Sequence, residues 1–189
     1  MSSLPKTYLT PEEYLQIERQ AEYKSEYFQG EMFARSLAGF SHYLIATNVL
    51  VELDPQLRPR GWQVVVADLR VHIRSTGFYT YPDLVARCGE PRFLDDQLDT
   101  LLNPVLIIEI LSLSTEMYDR TRKWEQYQSI ESLQEYLLTS SDRTHADLYS
   151  RQQNGRWMFS SASRIEDTLE IPSLGCALKL SAIYDQVKF

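Results

Sequence analysis

PVLIIEILS, Pro104 to Ser112, sets one carboxylate, Glu109, inside an otherwise apolar run that a proline opens and a serine-rich turn closes. The run is too short and too uniform for an amphipathic helix, and it reads as a strand buried on both faces. An ionised side chain in such a strand is costly unless it is paired, protonated or bound to a cation. The fold is therefore read outward from this strand, and the function from what Glu109 meets.

Upstream, FYTYPDLVARC (78–88) reads as a neighbouring strand, with Asp83 near its start after a proline whose fixed φ sets the strand's entry. Before it, VVVADLRVHIRS (64–75) alternates with period two. Val65, Ala67, Leu69, Val71 and Ile73 fall on one face and Asp68, Arg70, His72 and Arg74 on the other, the pattern of a half-buried strand. Thr76-Gly77 is the turn between these two strands. Downstream, STEMYDRTRKWEQYQSI (114–130) reads as a helix capped by Ser114. LQEYLLTS, ADLYSRQ and RWMFSSASR follow as strands, with Asn154-Gly155 as the turn between the last two.

The amino-terminal part opens with a helix start. Thr10 is the N-cap, Pro11 the first helical residue, and Glu13 sits at capping-box spacing. Gln29-Gly30 is the turn of a hairpin leading into EMFARSL (31–37). SHYLIATNVLVELDPQLRP (41–59) predicts a second helix, capped by Ser41, with Leu44, Ile45, Val49, Leu53 and Leu57 as its apolar stripe. GEPRFLDDQLDTLLN (89–103) is a polar connection, and IPSLGCALKLSAIYD (171–185) closes the chain with a short strand and a short helix. Helices alternating with strands imply an α/β or α+β fold in which helices cover a mixed sheet.

At 189 residues, with 43% hydrophobic and 24% charged residues, one globular domain spanning 1–189 is expected. No apolar stretch approaches the roughly 20 residues that cross a bilayer, and the first residues lack the plan of a signal peptide. A cytoplasmic protein with no membrane partner is expected. Cys88 and Cys176 form no CxxC pair and read as reduced thiols. His42, His72 and His145 lie too far apart in sequence for a metal-ligand spacing. The net charge of −7 argues against a protein that coats nucleic acid through bulk electrostatics, though not against a local basic groove.

Two acids on neighbouring central strands, Asp83 and Glu109, repel unless a shared divalent cation or a proton sits between them. Divalent-metal phosphodiester hydrolysis uses such a pair, together with a lysine that stabilises the charge of the transition state. YPD (81–83) followed by IEIL (108–111) resembles the PD-(D/E)XK nuclease signature. More specifically, EYFQGEMF, VVVADLRV, YPDLVARCGEP, LNPVLIIEILSLSTEMYDRTRKWEQYQSIESLQEYLL and IPSLGCALKL, in this order, resemble the restriction-endonuclease family expanded in cyanobacteria. The resemblance runs from about Thr10 onward. It implies a restriction-endonuclease-like core, Mg²⁺ or Mn²⁺ as cofactor, DNA as substrate, and Asp83 and Glu109 as both metal ligands and catalytic residues.

The chain departs from that pattern at two points. Leu111 stands where the superfamily usually has its strand lysine, and Leu113 where the family commonly has a proline. In several nucleases of the superfamily the lysine lies on the following helix, and the resemblance implies Lys123 for that role. Stepping about 100° per residue along the helix points its ammonium toward the edge of the sheet; an i,i+4 pair with Asp119 is the competing account. The resemblance also adds Glu31 as a further acidic ligand, against a solvated hairpin charge. For Glu109 itself, pairing with Arg120 or Arg122 is the alternative to a metal. Arg70, Arg74, Arg87, Arg120 and Arg122 are candidates for a positive surface facing DNA phosphates, and Tyr79 and Tyr81 for base stacking. His42 reads as a histidine at a helix start, and Asp68 as one half of a surface ion pair.

Three functions fit these letters: a Mg²⁺-dependent DNA endonuclease, a catalytically inactive module that keeps the fold for partner binding or self-association, and, third, a hydrolase of another phosphate ester with the same metal logic. A homodimer is expected, since enzymes that cut both strands commonly act as symmetric pairs.

Overall fold

The computed structural model describes residues 8–35, 38–66 and 68–189. Thr10 caps helix α1 (Pro11–Gln20) reciprocally: its side chain accepts from the Glu13 amide at 3.2 Å, and the Glu13 carboxylate accepts from the Thr10 amide at 2.8 Å. Strands β1 (Ser25–Phe28) and β2 (Glu31–Ala34) form the predicted hairpin, with Gln29 and Gly30 both at positive φ, +50° and +87°. Helix α2 (Phe40–Leu57) buries Ile45, Val49, Leu53 and Leu57. Its N-cap is Gly39, where the backbone is still extended, and not Ser41, whose hydroxyl donates to the Lys188 carbonyl. Ser36, Leu37 and Ala67, named in the strand readings above, lie outside the described residues.

The period-two run around Val65 is two strands, and so is FYTYPDLVARC. β3 (Trp62–Val66) pairs with β6 (Leu84–Cys88), while β4 (Arg70–Ile73) pairs with β5 (Phe78–Thr80). Between the facing pairs Val66–Leu84 and Val71–Thr80, one arm runs from 67 to 70 and the other from 81 to 83. The longer arm carries one extra residue, and Asp68 within it takes φ +57°. Such a bulge bends a strand and shifts its alternation. Here it sends the two ends of one long hairpin into different sheets and reverses the faces. Val64 and Val66 pack on the core and Val65 is 36% exposed, whereas β4 buries Val71 and Ile73.

The chain continues through β7 (Thr100–Leu101), β8 (Leu106–Leu111), α3 (Glu116–Tyr118), a π-helical stretch over Asp119–Lys123, and α4 (Trp124–Tyr127). Thr115, not Ser114, is the N-cap of α3. Then come β9 (Glu135–Ser140), β10 (Ala146–Arg151), β11 (Trp157–Ala162), β12 (Thr168–Ile171), β13 (Cys176–Lys179) and α5 (Leu180–Ile183). Thr100 and Leu101 fall in the segment read as a plain connection, and β12 was not foreseen.

Among the described residues, a six-stranded sheet runs β11-β10-β9-β8-β6-β3 and a five-stranded sheet runs β2-β1-β5-β4-β7, with β12 and β13 forming a small third sheet. The large sheet is mixed: β8 lies antiparallel to β6 and parallel to β9. All of Leu106 to Leu111 is buried, as the apolar run predicts. Leu106, Ile108 and Ile110 face α2, α5 and the small sheet. Ile107 and Leu111, and Glu109 between them, face the other way, toward the five-stranded sheet and α4. The restriction-endonuclease-like expectation of a mixed sheet flanked by helices agrees with this architecture. No helix is long and apolar enough to cross a membrane among the described residues.

Candidate active site

β6 and β8 place the two acids side by side. Leu84 faces Ile108 and Val85 faces Ile107, so carrying the register one residue further sets Asp83 opposite Glu109, on the same face of the sheet. Opposed residues of an antiparallel pair have Cβ atoms about 5 Å apart. Asp83 Oδ2 accepts from the amide of Ile110 at 2.8 Å and meets His42 Nε2 at 3.1 Å, while Oδ1 accepts from Arg35 Nη2 at 3.2 Å. Burial opposes ionisation of Asp83, yet His42, the Ile110 amide and Lys123 hold its carboxyl below the usual aspartate range.

Lys123 does not point to the edge of the sheet. Its ammonium lies 3.0 Å from Glu109 Oε1, 3.1 Å from Glu26 Oε1 and 3.2 Å from Asp119 Oδ1, so each of its three protons faces a carboxylate. The competing i,i+4 pair with Asp119 forms, and the same ammonium also meets Glu109. The π-helical stretch gives the reason, because i→i+5 bonding alters the angular step that an ideal α-helix would take. The Asp119 carbonyl accepts from the Trp124 amide and from the Tyr136 hydroxyl, 3.1 Å away. Although burial works against its charge, the surrounding acids, Glu109 and Glu26 foremost, keep Lys123 protonated well above the usual lysine range.

Glu109 Oε1 also accepts from the Tyr127 hydroxyl at 2.6 Å. Burial raises the Glu109 carboxyl to about 8; Lys123 pulls it down, while Asp119 and Asp83 add to the rise. Glu26 stays below its usual value despite burial, through Lys123, the Thr80 hydroxyl at 2.6 Å and the Tyr118 hydroxyl at 2.9 Å. Three acids, Glu26, Glu109 and Asp119, thus surround one ammonium, and with Asp83 they line a cavity of about 1270 Å³.

Carboxylate oxygens in this number suit Mg²⁺ or Mn²⁺, and Mg²⁺ is commonly bound through one or two carboxylates with water completing its shell. The elevated Glu109 reflects its burial first, and a cation bound at the carboxylate would offset that cost. Among the described residues, no set of three or more His, Cys, Asp or Glu side chains is already gathered as a coordination shell. Asp83 and Glu109 are the pair that fits such an ion.

The remaining candidates separate. Glu31 opens β2 at the cavity wall, while Glu26 on the partner strand is the acid that reaches Lys123. Arg70 is withdrawn from any DNA-facing surface: the bulge turns it inward, 2% exposed, to donate to Thr100, Tyr81 and Asp99. Arg120 is spent on Glu116 and Asp147, and among the described residues no ion pair joins Arg120 or Arg122 to Glu109; Arg87, a candidate for the DNA-facing surface, is buried and donates to Gln63. Arg74 is exposed in the β4–β5 turn, away from the cavity, and Arg122 is exposed on the cavity wall. Tyr79 and Tyr81 are core residues. Asp68 lies 3.9 Å from Arg35, the surface pairing expected of it. Sequence reasoning did not find Glu26, Arg35 or Tyr127, and it took His42 for a helix-start residue. Glu26 gave no signal of the kind Glu109 gave, since in KSEYFQG (24–30) it stands in a largely polar stretch, unlike Glu109 within its apolar run.

A solved structure from Anabaena variabilis ATCC 29413, described as a "putative nuclease belonging to DUF820", superposes with a TM-score of 0.76 at 18% identity, covering 95% of this chain and 99% of its own. At that identity the likeness speaks for the fold. The uncharacterized Synechocystis protein slr1290 is 34% identical over 189 residues, covering 99% of this chain and 97% of its own. The uncharacterized protein sll1609 of the same organism is 34% identical over 152 residues, covering 80% and 86%. The Uma2 family profile, "Putative restriction endonuclease", matches residues 11–182, and the chain belongs to that family.

Proposed function

We propose that the chain is a Mg²⁺- or Mn²⁺-dependent endonuclease acting on DNA, with Asp83 and Glu109 holding the ion and Lys123 in the place of the missing strand lysine. The observation that carries this reading is the 3.0 Å approach of Lys123, from the helix after β8, to Glu109 on β8, with Asp83 on the next strand. A divalent ion held there would lower the pKa of its water and offset charge on the phosphoryl oxygens. The protein's own groups do the rest. The Ile110 amide fixes Asp83, and the Tyr127 hydroxyl fixes Glu109. Lys123, held charged by the acids around it, contributes a positive field beside the developing charge of the phosphate and is not a proton acceptor.

The cavity wall supports a nucleic-acid substrate. Tyr23, Phe40 and Tyr43 are exposed there, with Lys24 and Arg122 as cations within reach of a strand. Exposed aromatics beside cations are how unpaired bases and their backbone are commonly held. Two copies acting as a symmetric dimer would cut both strands of a duplex.

Incubation of the purified protein with supercoiled plasmid and Mg²⁺ or Mn²⁺ tests the reading. Nicked or linear product is expected from the wild type and not from Asp83→Ala or Lys123→Met. Cutting no greater than that of Asp83→Ala across both metals would refute it. One observation favours the inactive-module reading: Asp83 is already engaged by Arg35 and His42. That reading predicts no stabilisation by Mn²⁺, whereas a metal site predicts a rise in unfolding temperature with Mn²⁺ concentration.

A further inference from the structure

We infer that Arg35 is a substrate-phosphate clamp which, in the metal-free protein, is parked on the carboxylate that the metal needs. The inference rests on the metal-site reading above. It starts from the unequal surroundings of the two Asp83 oxygens. Oδ2 is fixed by the backbone of β8 through the Ile110 amide, and by His42. Oδ1 is held by Arg35 Nη2 at 3.2 Å, and the same guanidinium approaches Asp68, itself 69% exposed, to 3.9 Å.

Among the described residues, Arg35 and Lys123 are the lysine and arginine cations at the acids, and they differ in how they are held. Lys123 is buried with all three protons facing carboxylates. Arg35 follows β2, its backbone anchored by a hydrogen bond to the Lys24 carbonyl, but its side chain is 26% exposed and leans over the Tyr81 ring in the open cavity. Its end can leave Asp83 without moving the backbone.

A guanidinium cannot lose its proton, so it competes with a divalent ion for Oδ1 at every working pH. Once the ion is bound, the two cations repel, and Arg35 needs another anion. The planar fork that fits a carboxylate also fits a phosphate in two-point contact. The phosphate diester that enters the same cavity is that anion. Arg35 thus restrains metal binding in the free protein and grips the substrate in the loaded one, which couples the two ligands through one side chain.

The test compares Mn²⁺ affinity by calorimetry, without DNA, with affinity for a fluorescent DNA oligonucleotide in Ca²⁺. Arg35→Gln is expected to bind Mn²⁺ about tenfold tighter than wild type, and the oligonucleotide about tenfold weaker, each a change of about 1.4 kcal/mol. Arg35→Lys keeps the charge but not the fork; it should bind Mn²⁺ close to wild type and still bind the oligonucleotide more weakly. A merely structural ion pair would make Arg35→Gln bind Mn²⁺ equally or less well, and that result overturns the inference. So does unchanged oligonucleotide affinity in both variants. If the wild type binds no Mn²⁺ at all, the metal-site reading fails first and this one with it. Wild-type binding that Arg35→Gln leaves unaltered refutes the role of Arg35 alone.

Discussion

Replacing Glu109 by glutamine asks whether burial keeps this carboxyl protonated near neutral pH. Burial, with Asp119 and Asp83 nearby, raises the Glu109 carboxyl from 4.5 to about 8 in the folded protein. Between those two values the folded chain holds a proton that the unfolded chain has released, so stability falls as pH rises through that window and levels off above it. One pKa unit corresponds to about 1.4 kcal/mol, which makes the total on the order of a few kcal/mol. Glutamine keeps an oxygen for the Tyr127 hydroxyl and the Lys123 ammonium but cannot ionise. Urea denaturation of both proteins from pH 5 to 9 reads the difference directly. The wild type should lose stability relative to Glu109→Gln up to about pH 8, then run parallel to it. A bound divalent ion takes the place of the proton, so Mn²⁺ should stabilise the wild type more strongly as pH rises over the same window, and should not do so for the variant. Parallel stability curves from pH 5 to 8 would refute the reasoning, since they would mean that Glu109 is ionised throughout.

Other substitutions separate the roles. Lys123→Met leaves Glu26, Glu109 and Asp119 without their shared cation; it should destabilise by about 3–5 kcal/mol, less at acidic pH where the acids can protonate, as thermal unfolding at two pH values will show. Arg70→Ala should cost about 1–3 kcal/mol because Thr100 and Tyr81 lose a buried hydrogen-bond partner, while Asp99 keeps Arg19, and it should leave the affinity of the folded protein for DNA unchanged. Arg122→Ala should do the reverse, weakening oligonucleotide binding with no change in unfolding temperature. Phe40→Ala and Tyr43→Ala should each weaken single-stranded DNA binding by about 1–3 kcal/mol if their rings stack on bases; fluorescence anisotropy with an unpaired oligonucleotide measures this.

The parts of the fold that local chemistry dictates were legible in the letters. The Thr10–Glu13 capping box, the Gln29-Gly30 hairpin and the buried Leu106–Leu111 strand each rest on a few adjacent residues. Glu109 stood out because one charge interrupts an apolar run, and Asp83 because its strand lies beside that one. The bulge at Asp68 was hidden because the alternation of residue types continues through it, although the backbone slips by one residue there. That slip is what turned Arg70 from an expected surface residue into a buried one. Lys123 was singled out and does lie beside Glu109, but its direction depended on a π-helical turn that no residue type announces. Glu26 and Arg35 reach the site through the pairing of β1 with β5 and the bend of the long hairpin, contacts far apart in sequence.

The central claim is that Asp83 and Glu109 together hold one divalent cation beside Lys123. A crystal soaked in Mn²⁺ and measured for anomalous scattering tests it directly. The account predicts a peak about 2.1 Å from an oxygen of each carboxylate, with Arg35 moved off Asp83. A soaked crystal that binds Mn²⁺ elsewhere, or nowhere, with the Arg35–Asp83 pair intact would contradict it.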